Sequence, residues 1–158
     1  MRKRLYIFRG LPGMGKSTVA ALIAMSHRGQ GLAVAVLSAD TNLINEKGEY
    51  EWSRERLSAA HAKVRRDFHN FISHSCGKSL LGNDCRDMLP LSHCDVLIID
   101  NTNTTKKEYQ HYKDEAIQNG WDVFEITVGD LNVQEAAKRN QHNVPIETLE
   151  RMKARWEP

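Results

Sequence analysis

Residues 9–18 read RGLPGMGKST, and this stretch decides which fold the chain is expected to adopt. An apolar run, LYIF at 5–8, precedes it, and a segment with helix-like composition, VAALIAM at 19–25, follows it. Glycines allow the backbone to turn sharply and to approach a ligand closely. A strand that enters such a turn and a helix that leaves it surround an anion with main-chain N–H groups and the positive helix end. The stretch therefore predicts a phosphate-binding turn.

The turn matches the P-loop pattern G-x-x-x-x-G-K-[ST] at every fixed position. The residues expected to line the phosphates are Gly10, Leu11, Pro12, Gly13, Met14, Gly15, Lys16, Ser17 and Thr18. Lys16 supplies a mobile cation for the outer phosphates, and the Ser17 hydroxyl is a suitable oxygen ligand for Mg²⁺. The chain has no Asn-Lys-x-Asp guanine signature, so ATP with Mg²⁺ is the expected ligand pair. A second GKS, at 77–79, lacks the upstream glycine and is not expected to bind phosphate.

A dinucleotide-binding fold is the main alternative for a glycine-rich turn after a strand. Asp40 lies about where that fold places its ribose-binding acid. However, that fold prefers glycine or alanine at position 18, where this chain has Thr18, and it gives no role to the Lys-Ser pair. The P-loop interpretation accounts for more of the residues.

The remaining sequence alternates apolar strand-like runs with amphipathic helix-like segments. Strands are predicted at 4–9, 32–40, 95–100 and 121–128, and helices at 16–27, 53–72, 104–119, 132–140 and 146–155. This alternation predicts a parallel sheet with helices on both faces. The expected fold is a three-layer α/β P-loop NTPase of the nucleoside-monophosphate-kinase-like type. A single domain over 1–158 is expected, with a small helical lid at about 130–145 and an insertion at about 75–94.

Composition narrows the functional classes. The chain has 158 residues and a formal net charge of +2, so bulk charge does not indicate tight nucleic-acid binding. No segment has the length or apolar character of a membrane span. Three cysteines without paired spacing do not indicate a disulfide framework, so a cytoplasmic location is expected. No obligate protein partner is indicated.

Two aspartates after apolar runs are candidates for the chemistry. Asp100 follows the apolar run Val96–Ile99, where P-loop proteins keep an acid for the Mg²⁺ shell. The alternative is an acid that caps the next turn. Asp40, at the end of a predicted strand expected beside the P-loop strand, is a candidate general base for an acceptor hydroxyl. A strand-ending or helix-capping aspartate is the alternative there.

Several stretches in the same order resemble the kinase domain of phage-type 5′-polynucleotide kinases and related small AAA-type ATPase or kinase domains. They span roughly residues 5–153 and read RGLPGMGKST, SAD before a loop with GEYEW, AH at 60–61, IIDNTNT, NGWDV, AAKRN and VPIETLERM. The P-loop alone is widespread, whereas its combination with the later stretches is much narrower.

The resemblance implies a role for each matching residue. Lys16 and Ser17 would contact phosphate and metal, and Asp40 would be the general base for a 5′-hydroxyl. Arg139, in KRN, would be the lid arginine that stabilises charge on the transferring phosphoryl group. Asn101 and Thr102 would lie near the acceptor.

Two further residues are weaker acceptor candidates. His61 and Arg65 belong to the basic face of the predicted helix 53–72 and could line an acceptor groove. The alternative for such a face is simple solvation, and a histidine at this place can instead lie at the edge of the core.

The chain also departs from the polynucleotide-kinase pattern. The stretch after Asp40 reads TNLI and contains no acceptor-gripping arginine before Arg54, and His142 stands near the place of a second lid arginine. The expected function is ATP-dependent transfer of the γ-phosphate to a hydroxyl, on the 5′-OH of a polynucleotide or nucleotide. The alternatives are a small-molecule kinase that uses the same site and a non-catalytic ATP-binding switch.

Overall fold

Strands and helices alternate along the chain as the sequence predicts, with ends that differ by a few residues. A computed structural model describes residues 2–45, 47–51, 53–74, 94–142 and 144–158. The strands are β1 (Arg4–Arg9), β2 (Val34–Leu37), β3 (Val96–Asp100) and β4 (Asp122–Thr127). The helices are α1 (Lys16–Gly29), α2 (Arg54–His74), α3 (Lys106–Gln118), α4 (Val133–Arg139) and α5 (Ile146–Ala154), with a short 3₁₀ helix at Asp40–Leu43. The predicted insertion at 75–94 lies outside the described residues except for Cys94.

The four strands form one parallel sheet in the order β2-β3-β1-β4. Phe8 of β1 is in register with Asp100 of β3, so the ends of these two strands meet at one edge. This order corrects one expectation: β2 does not lie beside the P-loop strand, because β3 separates them. The strand β2 also ends before Asp40, since Ala39 already has helical φ and ψ and Asp40 begins the 3₁₀ helix.

Helices cover both faces of the sheet, which accounts for the continuous apolar runs in its strands. Leu5 and Ile7 of β1 share one apolar cluster with α2 and α3, and the cluster on the opposite side contains Phe8 together with Ala20 and Ala24 of α1. Successive strand residues point to opposite faces, so β1 feeds both clusters. None of the helices in the described part of the chain is both long enough and apolar enough to cross a bilayer.

A buried arginine joins the P-loop strand to the rest of the fold. Arg9, at the end of β1, is 4 % exposed. Its guanidinium carbon lies 4.7 Å from the ring centroid of Tyr109 and 4.5 Å from that of Trp156. Its Nε donates to the carbonyl oxygen of Asn103 over 3.1 Å, and its Nη2 donates to the carbonyl oxygen of Glu157. One side chain thus connects β1, α3 and the segment after α5 immediately before the phosphate turn.

We expect Arg9→Met to lower the free energy of unfolding by about 3 kcal/mol, because it removes a buried cation from two rings and leaves carbonyl acceptors without a donor. Urea denaturation followed by fluorescence measures the loss. Arg2→Met is the matched control, since the Arg2 side chain is 81 % exposed and pairs with Asp122 at the surface. The control should cost less than about 0.5 kcal/mol. Equal losses in the two variants would contradict the role assigned to Arg9.

Candidate active site

The P-loop is a glycine-rich turn that leads into the N-terminus of α1. The N–H groups of Gly10 and Met14 donate to the carbonyl oxygens of Thr102 and Leu11, and the first N–H groups of α1 face the turn. Gly10, Gly13 and Gly15 have φ angles of 148°, 83° and 85°, a region that side-chain-bearing residues rarely adopt. Helix α1 starts at Lys16, its N-cap is Gly15, and no side chain among the described residues caps it. The first turn of α1 also carries no acidic residue. The positive end of the helix therefore faces the turn, and the helix itself supplies no acid to neutralise it, which suits a phosphate.

Lys16 is held as a buried cation inside the turn. It is 8 % exposed, and its Nζ donates to the carbonyl oxygen of Leu11 over 3.0 Å. Burial lowers the pKa of Lys16, and the carboxylates of Asp100 and Asp40 oppose that shift. The two acids predicted from sequence therefore both act on this ammonium group. An anionic ligand at the turn would add a third favourable charge.

Asp100 has an environment that fits a metal ligand. Its carboxylate is buried, and the nearby Ser17 hydroxyl favours its charged form. Its Oδ1 is buried and has no hydrogen-bond partner among the described residues. Burial raises the pKa of Asp100, while Ser17 and Lys16 lower it. A buried oxygen without a donor next to a serine hydroxyl fits the oxygen ligands that Mg²⁺ prefers.

The neighbouring turn does not use Asp100 as a cap. Helix α3 is capped by Thr105 in a capping box with Glu108, whose carboxylate also accepts from the N–H and hydroxyl of Thr104. The capping function that the sequence left open for Asp100 is thus carried by residues further along the loop.

Asp40 contrasts with Asp100 in being exposed to solvent. It opens the 3₁₀ helix after β2 and acts electrostatically on both Lys16 and Asp100, so it belongs to the same group of charges. The hydroxyl of Tyr50 donates to Asp40 Oδ1 over 3.4 Å. Burial and the negative charge of Asp40 raise the pKa of Tyr50 to about 12, so this phenol stays protonated and remains a donor at neutral pH.

Asn101 and Thr102 hold the loops of the site together. The buried side chain of Asn101 accepts from the N–H of Ala39 over 2.9 Å, which fixes the chain directly before Asp40. The carbonyl oxygen of Thr102 accepts from the N–H of Gly10 over 3.0 Å and anchors the start of the P-loop. The loop after β3 thus connects the end of β2 to the end of β1.

The predicted lid helix packs against the P-loop through its backbone. An ideal Cβ on Gly13 would lie 2.4 Å from the carbonyl oxygen of Ala136 and 2.9 Å from the N–H nitrogen of Asn140. The side chain of Arg139 instead pairs with Glu135, one turn earlier on α4, at 2.6 Å between Nε and Oε1. Arg139 is therefore at the border of the P-loop while its guanidinium is exposed and bound to Glu135.

His61 and Arg65 lie one turn apart on α2. Arg65 is exposed and His61 is half-buried. Burial and the charge of Arg65 lower the pKa of His61, whereas Glu108 of α3 and Asp40 act in the opposite direction. The two residues are thus near each other, and His61 is within electrostatic range of Asp40.

Three residues of the site region are not identified by sequence reasoning: Tyr50, Glu135 and Asn140. Glu135 has a usable signal, because an acid and a base four residues apart on a helix commonly pair. Asn140 follows the end of α4, where its side chain donates to the carbonyl of Val144 and accepts from the N–H of His142. Tyr50 has no comparable signal, since its partner Asp40 is ten residues away across a turn.

Comparison with solved structures identifies the fold. A search of protein-family models finds no match. The chain is similar to the APS kinase CysC of Mycobacterium tuberculosis, solved with AMPPNP and APS, at 19 % identity and a TM-score of 0.58, over 89 % of this chain and 70 % of that one. It is also similar to a chain of a Pnkp1/Rnl/Hen1 complex, at 20 % identity and a TM-score of 0.59, over 91 % of this chain and 41 % of that one. A gluconokinase from Sinorhizobium meliloti matches at 13 % identity and a TM-score of 0.53, over 97 % and 74 %.

The chain has the fold of the P-loop kinases. The predicted fold class and the resemblance to P-loop kinase domains are therefore confirmed at the level of architecture. The names of these neighbours refer to different acceptors, among them APS and gluconate, so the likeness does not choose an acceptor.

Two glycines of the turn provide a test of how the lid packs on it. Gly13 and Gly15 have nearly equal positive φ angles, but a Cβ on Gly15 would meet nothing within 4 Å. Backbone strain should therefore cost both alanine variants about 1–2 kcal/mol. Gly13→Ala should lose about 2 kcal/mol more, because it forces the end of α4 away.

Urea denaturation of the two variants without nucleotide measures the difference. Gly15→Ala serves as the control for strain alone. If Gly13→Ala were no less stable than Gly15→Ala, the close packing of α4 on the turn would be contradicted.

Proposed function

We propose that the protein is an ATP-dependent phosphotransferase that moves the γ-phosphate of ATP to an acceptor hydroxyl. The observation that carries the proposal is the pair of unlike carboxylates around Lys16. Asp100 is buried and one of its oxygens has no hydrogen-bond partner among the described residues, whereas Asp40 is exposed to incoming ligands. Two acids in such different environments suit two different tasks, metal binding and proton transfer.

The donor side of the proposed site is the P-loop. The main-chain N–H groups of the turn and the start of α1 bind the phosphates of ATP, and Lys16 offsets the charge of the outer ones. Ser17 and Asp100 would hold Mg²⁺. When bound, the ion neutralises charge that develops on the phosphate oxygens.

The acceptor side centres on Asp40. The oxygen of the acceptor hydroxyl forms a bond to the γ-phosphorus, and the bond from that phosphorus to the β–γ bridging oxygen breaks. ADP leaves with that electron pair, and the hydroxyl proton passes to the Asp40 carboxylate. An exposed carboxylate beside the phosphate turn is the group that the described residues offer for this step.

Arg139 is proposed to contribute in the transition state. Its side chain is exposed and pairs with Glu135 on the surface of α4. A surface ion pair of this kind is weak, so a polyphosphate at the turn can compete for the guanidinium. The arginine then stabilises charge on the transferring phosphoryl group and helps to exclude water.

The proposed acceptor is the 5′-hydroxyl of a polynucleotide or nucleotide. The ordered stretches shared with polynucleotide kinases support it, as does the similarity to a chain of the Pnkp1 complex. Asn101 and Thr102 remain candidates for lying near the acceptor, because they form the loop that connects the P-loop to the chain before Asp40. Arg65 and His61 would supply positive or polar groups for an acceptor phosphate. The missing arginine between Asp40 and Arg54 favours a small-molecule acceptor as the second candidate.

A transfer screen with labelled ATP tests the proposal. The acceptors are 5′-OH DNA, 5′-OH RNA, nucleosides, APS, gluconate and the protein alone. Transfer to a 5′-hydroxyl is expected, and transfer to a small molecule alone would select the second candidate. ATP binding without transfer to any of these acceptors would favour the switch and overturn the enzymatic proposal.

We expect Asp40→Asn to lower kcat by about a hundredfold or more while ATP affinity changes less than about twofold, because the amide cannot accept the proton. Single-turnover transfer and equilibrium binding of ATP measure the two effects. Asp114→Asn, an exposed aspartate on α3, is the control. Unchanged transfer by Asp40→Asn would remove Asp40 from the mechanism.

We expect Arg139→Ala to lower kcat by about a hundredfold and the affinity for ATP by much less, since its charge acts mainly in the transition state. Lys138→Ala, the exposed neighbour on α4, should retain most of the turnover. Glu135→Gln releases the guanidinium and should not lower kcat. A loss confined to ATP binding in Arg139→Ala would contradict the proposed role of the arginine.

A further inference from the structure

We propose that Tyr50 is a positioning residue that couples the lid to the general base: its hydroxyl orients Asp40, and its ring is held by His142 of the lid. This inference rests on the proposed function, because it assigns a task to Tyr50 in the reaction for which Asp40 is the base. Tyr50 lies outside the P-loop and is distinct from the proposed lid arginine, Arg139.

The first contact is between Tyr50 and the candidate base. Asp40 is exposed, and among the described residues the Tyr50 hydroxyl is the group that donates a hydrogen bond to its side chain. A free carboxylate on an exposed turn samples several rotamers. The hydrogen bond, 3.4 Å between the two oxygens, favours one of them. A base must lie within hydrogen-bond reach of the proton that it accepts, so a fixed rotamer matters for the rate.

The second contact is between Tyr50 and the lid. The rings of Tyr50 and His142 stack with their centroids 4.3 Å apart and an angle of 24° between their planes. His142 follows α4 by three residues, so the stack joins the lid segment to the chain that follows Asp40. One phenol therefore contacts both the base and the lid.

A β-bridge and hydrogen bonds from Asn45 position the segment that carries Tyr50. An antiparallel bridge joins Ile44 to Tyr50, and Asn45 organises the turn between them. The side-chain oxygen of Asn45 accepts from the N–H groups of Lys47 and Glu49, each over 2.9 Å. Tyr50 is thus placed by local hydrogen bonds and does not depend on the lid for its backbone position.

The segment that presents His142 is organised in a similar way. Asn140, directly after α4, accepts from the N–H of His142 over 3.1 Å and donates to the carbonyl of Val144 over 2.9 Å. The end of α4 in turn packs on Gly13 of the P-loop. A displacement of α4 relative to the P-loop would therefore move His142 relative to Tyr50, and the stack transmits the position of the lid to the base.

A double-mutant cycle tests whether Tyr50 acts through Asp40. Tyr50→Phe keeps the ring and removes the hydroxyl, and it should lower kcat about five- to tenfold with little change in KM for ATP. In the Asp40→Asn background the same substitution should have no further effect, since the group that it orients is already lost. Tyr6→Phe, which removes a hydroxyl bonded to His27 away from the site, is the control and should leave kcat unchanged.

A second set of variants tests the link to the lid. His142→Ala should lower kcat to a similar extent as Tyr50→Phe, and adding it to Tyr50→Phe should cost little more. His142→Phe retains an aromatic partner and should restore most of the rate. Thermal melting of each variant accompanies the kinetics, so that a loss of folding is recognised directly.

The outcomes separate this inference from the proposed function. Additive effects of Tyr50→Phe and Asp40→Asn would overturn the positioning role, and so would full activity of Tyr50→Phe in a protein that Asp40→Asn inactivates. An effect of His142→Ala on KM for ATP alone would overturn the coupling to the lid. Full activity of Asp40→Asn would instead overturn the function on which the inference rests.

Discussion

The burial of Lys16 beside Asp100 is the constraint on which the site depends. Burial acts against the charged form of each group, lowering the pKa of Lys16 and raising that of Asp100. Their mutual attraction offsets part of this cost, but Asp100 Oδ1 still has no partner among the described residues. A polyphosphate near the ammonium and a divalent cation near the carboxylate would supply the missing partners. The charges of the site thus suit ligands of these two kinds.

The sheet order brings these charges together. Because β3 lies between β1 and β2, the loop after β3 can contact the P-loop on one side and the chain before Asp40 on the other. Asn101 and Thr102 make those two contacts. Arg9 lies at the same edge of the sheet, and its guanidinium packs between α3 and the segment after α5. The loop after β3 therefore links the phosphate turn to the chain before Asp40 through one hydrogen bond on each side, and the buried Arg9 lies at the end of the P-loop strand.

Much of this arrangement could be predicted from sequence, because its signals are local. The P-loop is a contiguous pattern, and Asp100 follows directly on an apolar strand. The position of β2 could not be predicted in the same way, since apolar runs of similar composition carry no information about which strand is their neighbour. The partner of Arg139 could be predicted from sequence, because Glu135 lies four residues away on the same helix. The partner of Asp40 could not, because Tyr50 reaches Asp40 only after the chain has turned back on itself.

The proposed role of Asp40 as the base gives the surrounding loops a part in the proposed chemistry, because Asp40 is exposed. A base that must meet an incoming hydroxyl cannot be buried as Asp100 is, so its orientation has to come from neighbours that leave one side open. Tyr50 meets this requirement because it contacts a single carboxylate oxygen, Oδ1, and leaves Oδ2 for the proposed acceptor. The stack with His142 then explains how such an exposed contact can still be specific. His142 contacts the phenol from the segment after α4, so the proposed orientation of Asp40 depends on a segment whose helix packs against the phosphate turn.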